Sequence, residues 1–472
     1  MLFNTFEFLW LFPLVFCVYH LMSWRKMGNV TLLLISYGLY ISWKPVYALI
    51  LLWVTVITYL TARLLGLRGE KTVKQDKLLL FLGVILTLFP LIIFKYLNFI
   101  NVTIAEGLSL VGFHVGIIGL NWGLPIGLSF FTLQALGYVY DVYKKKVEVE
   151  NNWWDYMLFV SFFPQIASGP ISKAKDLLPQ IKSQREFNYN QAVLGLKWLL
   201  WGMFMKVVMA DRVGIYADTI FNNYEHLSGL SCFIGSLLYT IQIYGDFAGY
   251  SFMAVGVGEL LGFALVNNFK RPYFAQSVTE FWHRWHISLS VWLKDYVYIP
   301  LGGSRCSKTR NYWNIFITFL VSGIWHGANW TFIIWGCMHG IFQIVEKMMN
   351  LHKLSSDGVF KLIRIFVTFL LVNFAWVFFR LPSLNDAVAM IARMFTNHDT
   401  TIAEITPAML LFIIMSVSVV FLKDWLDEYC ERKHTLFHHQ STVVRWSIYV
   451  TMLFLILSCG VFDASQFIYV NF

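Results

Sequence analysis

His326 sits in "SGIWHGANW", residues 322–330, between the apolar runs "NIFITFLV" and "TFIIWGCMHG". An imidazole, with an ordinary pKa of about 6.5, is the side chain best suited to take a hydroxyl proton near neutral pH. A polar side chain at membrane depth can also serve as glue between helices, so a core histidine bonded to a nearby carbonyl is the competing reading. A second candidate lies forty residues upstream, in "EFWHRWHISLSVWLKDYVYIPLGGSR", 280–305. There His283 and His286 are three apart with no convincing third ligand, which makes a poor metal site. Trp282, His286 and Leu289 follow i, i+4, i+7 spacing and share one helical stripe, which turns His286 inward and leaves His283 in solvent. Asp246 and Glu259 complete the polar set, since acids at membrane depth are costly unless they face protein or a wet cavity. No GxSxG, Walker loop or HExxH is present, so neither a serine nucleophile nor a phosphate-binding loop is supported.

These residues must be held by membrane helices. The chain has 472 residues, 58% hydrophobic and 13% charged, against about 25% charged in a soluble domain. Apolar runs of spanning length recur throughout. Spans are expected at 6–22, 30–43, 46–65, 78–100, 115–140, 191–210, 312–328, 330–348, 360–379, 406–424 and 443–460. The first is read as retained, because its lead "MLFNTFE" lacks the basic residues of a cleaved signal peptide. "YMLFVSFFPQIASGPIS" (156–172) is apolar but broken by Pro164, Gly169 and Pro170. The stretch around Asp246 and Glu259 holds five glycines, with small-xxx-small spacing at 245/249 and 258/262, and reads as a broken or re-entrant segment lining an internal cavity. Residues 280–305 read as an amphipathic helix at the membrane interface. The fold expected is therefore an all-α polytopic membrane protein, a single domain over 1–472, with about eleven hydrophobic segments plus re-entrant and interfacial helices.

Lys and Arg exceed Asp and Glu by 36 to 27, a net charge of +9. In a chain of this kind the excess belongs to cytoplasmic loops rather than to a nucleic-acid site. Basic-rich and basic-poor links alternate through the first five spans, which puts the N-terminus outside and Lys144–Lys146 in the cytoplasm. Six scattered cysteines without a CxxC pair indicate neither a disulfide framework nor zinc.

The long basic-aromatic segment ending in "PLGG", followed by "GIWHGANWTFIIWGCMHG", closely resembles the membrane-bound O-acyltransferase family. "NNFKRPYFAQSVTEFW", "GLSFFTLQALGYVYDVY" and "SFFPQIASGPI" join the likeness, which covers about 120–340. It resembles the bacterial branch that O-acetylates alginate and peptidoglycan. One departure is Phe252 in "DFAGYSFMAVG", where that branch has a second acid; this version is closer to the D-alanyl transferases of teichoic acid.

The resemblance implies catalytic roles for His326 and His286. It also implies a tunnel, with Asp246, Trp325 and Asn329 as candidate cavity-lining residues. A cytoplasmic thioester, acetyl-CoA above all, would be the donor substrate, with no bound cofactor or metal. The acceptor would be a polysaccharide reached through a periplasmic or extracellular acetyltransferase partner, and the setting the lipid of the bacterial inner membrane. The ending "QFIYVNF" matches the branch's F-x-Y-x-x-F tail (467–472), which makes Tyr469 a candidate acyl acceptor. Its competing reading is an interfacial aromatic anchor. A proton-coupled transporter using His326, Asp246 and Glu259 is the rival from another class; the lack of an internal repeat counts against it.

Overall fold

The computed structural model describes all residues except 1–2, 23–24, 68–72, 115, 117–118, 120–122, 352–353, 355–356, 463–467 and 469–472. Every regular element among the described residues is helical. In chain order they are α1 (Phe6–Leu21), α2 (Arg25–Trp43), α3 (Pro45–Leu67), α4 (Val73–Leu91), α5 (Leu97–Ser109), α6 (Leu128–Tyr143), α7 (Trp153–Ser161), α8 (Phe163–Ile166), α9 (Ala174–Lys182) and α10 (Tyr189–Met203). There follow α11 (Asp211–Asn222), α12 (Gly229–Leu260), α13 (Val278–Arg284), α14 (Ile287–Leu293), α15 (Lys308–His326), α16 (Trp330–Met348), α17 (Gly358–Arg380), α18 (Leu384–Thr396), α19 (Pro407–Tyr429) and α20 (Thr442–Cys459). π-helical turns, Ile92–Tyr96 and Phe204–Ala210, fuse α4 to α5 and α10 to α11.

Six of these helices or fused helices are long and apolar enough to cross a membrane: Pro45–Gly66, Val73–Ser109, Tyr189–Asn222, Gly358–Arg380, Pro407–Tyr429 and Thr442–Cys459. The chain is a multi-pass membrane protein. Several other segments read as spans fall short of that measure in length or hydropathy. Among the described residues of the segment expected at 115–140, the helix is α6, which begins at Leu128, and α16 occupies the expected 330–348.

The stretch around Asp246 is not broken. It is one uninterrupted helix of 32 residues, α12. Its glycines permit a close crossing rather than a bend. A Cβ on Gly249 would lie 2.8 Å from the carbonyl of Gly202 on α10, and one on Gly256 would lie 2.7 Å from that of Gly195. In lipid, where apolar burial does not drive helices together, such backbone proximity is a main source of association.

The truly irregular segment is 167–173, which follows the single turn of α8, and residues 167–172 of it are buried. Its polar groups are answered from inside. Ser172 donates to Gln165 at 2.7 Å, Gln165 donates to Gln134 of α6 at 2.8 Å, and the amide of Ile171 donates to Ser288 at 3.0 Å. Non-helical backbone at this depth survives only under such coverage.

Candidate active site

The segment expected as one amphipathic helix over 280–305 is broken at His286. α13 ends at Arg284 and α14 begins at Ile287, while His286 itself has φ 43° and ψ 52°. This left-handed backbone costs a non-glycine residue roughly 1–3 kcal/mol and clusters at functional sites. The break is held by Asn268, upstream of α13. Asn268 accepts the amide of Ile287 on its carbonyl at 2.9 Å and that of Ser288 on its side chain at 3.0 Å. The amide of Lys270 donates to Arg284 at 2.8 Å, and Glu428 of α19 binds both Arg271 and Arg284. At the other end of α13, Glu346 of α16 accepts the amides of Val278 and Thr279, an anion at a helix start. The i, i+4, i+7 stripe therefore does not exist as a continuous helix. Even so, Trp282, His286 and Leu289 are buried and His283 is exposed.

His326 is the last residue of α15, and it is buried. The chain then turns through Gly327 into α16, whose N-cap is Asn329. That side chain accepts the amide of Thr331 at 3.1 Å and donates to the carbonyl of Pro382 at 2.6 Å, so its polar groups are engaged in capping. Trp325 touches both histidines, its ring centroid 6.0 Å from that of His286 and 4.9 Å from that of His326. Phe247 of α12 closes on His286 at 4.7 Å, and Trp335 and Phe379 close on His326 at 4.9 and 5.3 Å.

A third imidazole extends the row. His339 of α16 lies 4.9 Å from Trp335, and its Nδ1 accepts the indole N–H of Trp282 at 3.2 Å. That bond leaves the His339 proton on Nε2. Among the described residues, this N–H, the indole N–H groups of Trp325 and Trp335 and the hydroxyl of Ser322 have no hydrogen-bond partner. Unanswered donors are rare in folded proteins. Here they gather around one histidine, where a polar ligand would satisfy them.

Two cavities lie next to residues that flank the pair. One, of about 430 Å³, is walled by Trp282, His283, Ile287, Lys294, Tyr298 and Lys347. The other, of about 670 Å³ and strongly apolar, reaches Trp325 and Gly327 on either side of His326.

Asp246, the remaining cavity-lining candidate, is engaged by a cation and the C-terminal stretch. It is buried in α12 beside Lys206, which projects from the π-helical turn between α10 and α11. The Lys206 ammonium is 2.5 Å from Asp246 and 2.5 Å from Asp211. The second Asp246 oxygen accepts the amide of Ile468 at 3.1 Å. The same turn and the start of α11 receive the chain after α20: Arg212 donates twice to the carbonyl of Cys459, and the amide of Val461 donates to the carbonyl of Val207 at 2.9 Å. Tyr469 lies outside the described residues. Phe252, which occupies the acid's place, is buried and stacked on Trp198 at 5.0 Å.

Sequence reasoning passed over Lys95, Lys206, Asn268 and the Trp282–His339 bond. For both lysines a signal was present, a lone cation inside an apolar run in "LIIFKYLNFI" and "WGMFMKVVMA".

Residues 39–385 match the membrane-bound O-acyltransferase (MBOAT) family. The chain is 38% identical over 420 residues to the probable alginate O-acetylase AlgI of Pseudomonas syringae pv. tomato, covering 89% of this chain and 80% of the relative. It is 33% identical to the peptidoglycan O-acetyltransferase of Helicobacter pylori, covering 100% and 98%. The teichoic acid D-alanyltransferase of Streptococcus thermophilus is similar at 28% identity over 66% of this chain. The broken helix that carries His286 and the helix end that carries His326 both fall within the matched residues, and the chain belongs to the membrane-bound O-acyltransferase family.

Proposed function

We propose that this protein moves an acetyl group from a cytoplasmic thioester, acetyl-CoA, toward hydroxyls of a cell-envelope polysaccharide across the bacterial inner membrane. The observation that carries this reading is the convergence of His286, on a strained break, and His326, at a helix end, on the ring of Trp325, edge-on at 6.0 and 4.9 Å. The family and the names of its acetylating relatives supply the reaction class. Identity and coverage favour acetyl over D-alanyl transfer, although Phe252 resembles the D-alanyl branch.

In the proposed reaction His326 accepts the proton of the acceptor hydroxyl as its oxygen attacks the thioester carbonyl. The tetrahedral intermediate collapses with loss of the thiolate, which takes a proton to leave as free thiol. His286 orients the thioester or answers the developing oxyanion. The tunnel that the family resemblance implies would join the 430 Å³ cavity, whose Lys294 and Lys347 suit an anionic donor, to the histidines. Little water there would limit hydrolysis.

Tyr469 is proposed as the first acetyl acceptor, handing the group to a periplasmic or extracellular transferase. The preceding residue, Ile468, donates its amide to buried Asp246, which supports the reading. Tyr469→Phe would then block transfer while keeping the ring; full transfer in that variant reduces the tail to an anchor.

The test of the reaction class is incubation of the purified protein with acetyl-CoA labelled in the acetyl group. Release of free CoA with label on protein or acceptor supports an acyltransferase. Passage of label across a vesicle membrane with the thioester intact would identify a carrier instead.

A further inference from the structure

α15 ends at the His326 turn, and the last carbonyls of any helix lack partners within it. Here they are answered from another span. Tyr96 donates its hydroxyl to the carbonyl of Ile324 at 2.8 Å. The neighbouring Lys95 donates to the carbonyl of Trp325 at 2.6 Å and to that of His326 at 3.0 Å, and reaches Ser129 at 3.4 Å. Its ammonium also lies 5.7 Å from the Trp325 ring. Three consecutive carbonyls at the end of the histidine helix are thus bound by two consecutive residues of the Val73–Ser109 span.

Those two residues fall in the π-helical turn Ile92–Tyr96, just after Pro90. A π turn carries an extra residue and re-aims its side chains, a feature frequent at functional sites. Among the described residues, no carboxylate lies within ion-pair distance of Lys95. A lysine in an apolar span is expensive, and this one is compensated by a helix C-terminus, whose partial negative charge suits a cation.

We propose that Lys95 is a positioning residue for acyl transfer: as a cap supplied from a different span, it fixes the last turn of α15 and with it the orientation of the His326 imidazole. The inference rests on the reading of His326 as the base.

The experiment compares wild-type protein with Lys95→Met, Lys95→Arg and Tyr96→Phe, together with His326→Ala, each purified whole and assayed by CoA release over a range of acetyl-CoA concentrations. Methionine keeps the unbranched chain and suits an apolar span, so Lys95→Met should insert and fold. Its kcat should fall on the order of 10²-fold, the scale of a catalytic group displaced by about 1 Å, with KM for acetyl-CoA unchanged. Lys95→Arg, which keeps the cation and its donors, should recover much of that loss. Tyr96→Phe, which removes a cap one residue farther from His326, should lose less.

A role confined to stability would lower the amount of folded protein without splitting kcat from KM. That result, or a Lys95→Met kcat equal to wild type, overturns the proposal. Activity in His326→Ala would instead overturn the reading of His326.

Discussion

Gly323 stands one turn before His326 and faces α16, where Gly336 follows Trp335. A Cβ on Gly323 would lie 2.4 Å from the carbonyl oxygen of Phe332 and 3.2 Å from the Cα of Gly336. Ordinary contact begins at 3.4 Å, so Gly323→Ala is about 1 Å too large, and the obstacle is backbone that cannot rotate away. The two helices must separate, which carries His326 away from Trp335, now 4.9 Å distant. The reciprocal change, Gly336→Ala, meets the carbonyl of Phe319 at 2.5 Å. Gly340, farther along the same interface, would place its Cβ 3.4 Å from Phe316 and needs no shift. Gly323→Ala and Gly336→Ala should each lose on the order of 10²-fold in kcat and about 1–3 kcal/mol of stability through overpacking. Gly340→Ala should keep the wild-type rate, helped by a helix preference of about 0.5–1 kcal/mol over glycine. CoA release by purified protein and the thermal midpoint in detergent read the two effects separately. Wild-type kcat in Gly323→Ala, or an equal loss in all three, would refute the claim that this crossing sets the position of His326.

Two further outcomes are expected. Because His286 holds a left-handed backbone, His286→Gly should be more stable than His286→Ala by about 1 kcal/mol, while both lose transfer on the order of 10²-fold; a thermal melt and the CoA-release assay check this, and full activity in either would leave His286 only a structural role. Lys206→Met leaves Asp211 and Asp246 buried without their cation and should cost about 3–5 kcal/mol, whereas Asp246→Asn preserves a one-to-one pair and should cost less; a Lys206→Met melt equal to wild type would contradict the buried cluster.

Long apolar runs were legible, because twenty or so uncharged residues have few other uses. α16 and α19 begin within a residue of where hydropathy puts them. The course of α12 was not legible from the chain alone. Five glycines and an acid mark a break when the helix is considered by itself. Two of them, Gly249 and Gly256, mark a tight crossing once Gly202 and Gly195 of α10 stand opposite, and Lys206 neutralises Asp246. The break at His286 escaped notice for a similar reason. The apolar stripe around it is compatible with an unbroken helix, and the groups that stop the helix come from Asn268, outside the stripe. His326 and His286 were found because histidine in an apolar run is a local signal. Lys95 was as local a signal, but its partner is a helix end 230 residues away, which nothing in its own span indicates.

The central claim is that His326 is the base of an acyl transfer. Its most direct test is the ester-linked acetate released by mild alkali from the envelope of cells whose own copy is replaced by His326→Ala, with the amount of membrane-inserted protein measured alongside. The account predicts acetate at the level of cells lacking the protein, with protein amount unchanged. Wild-type acetate in that strain would contradict it.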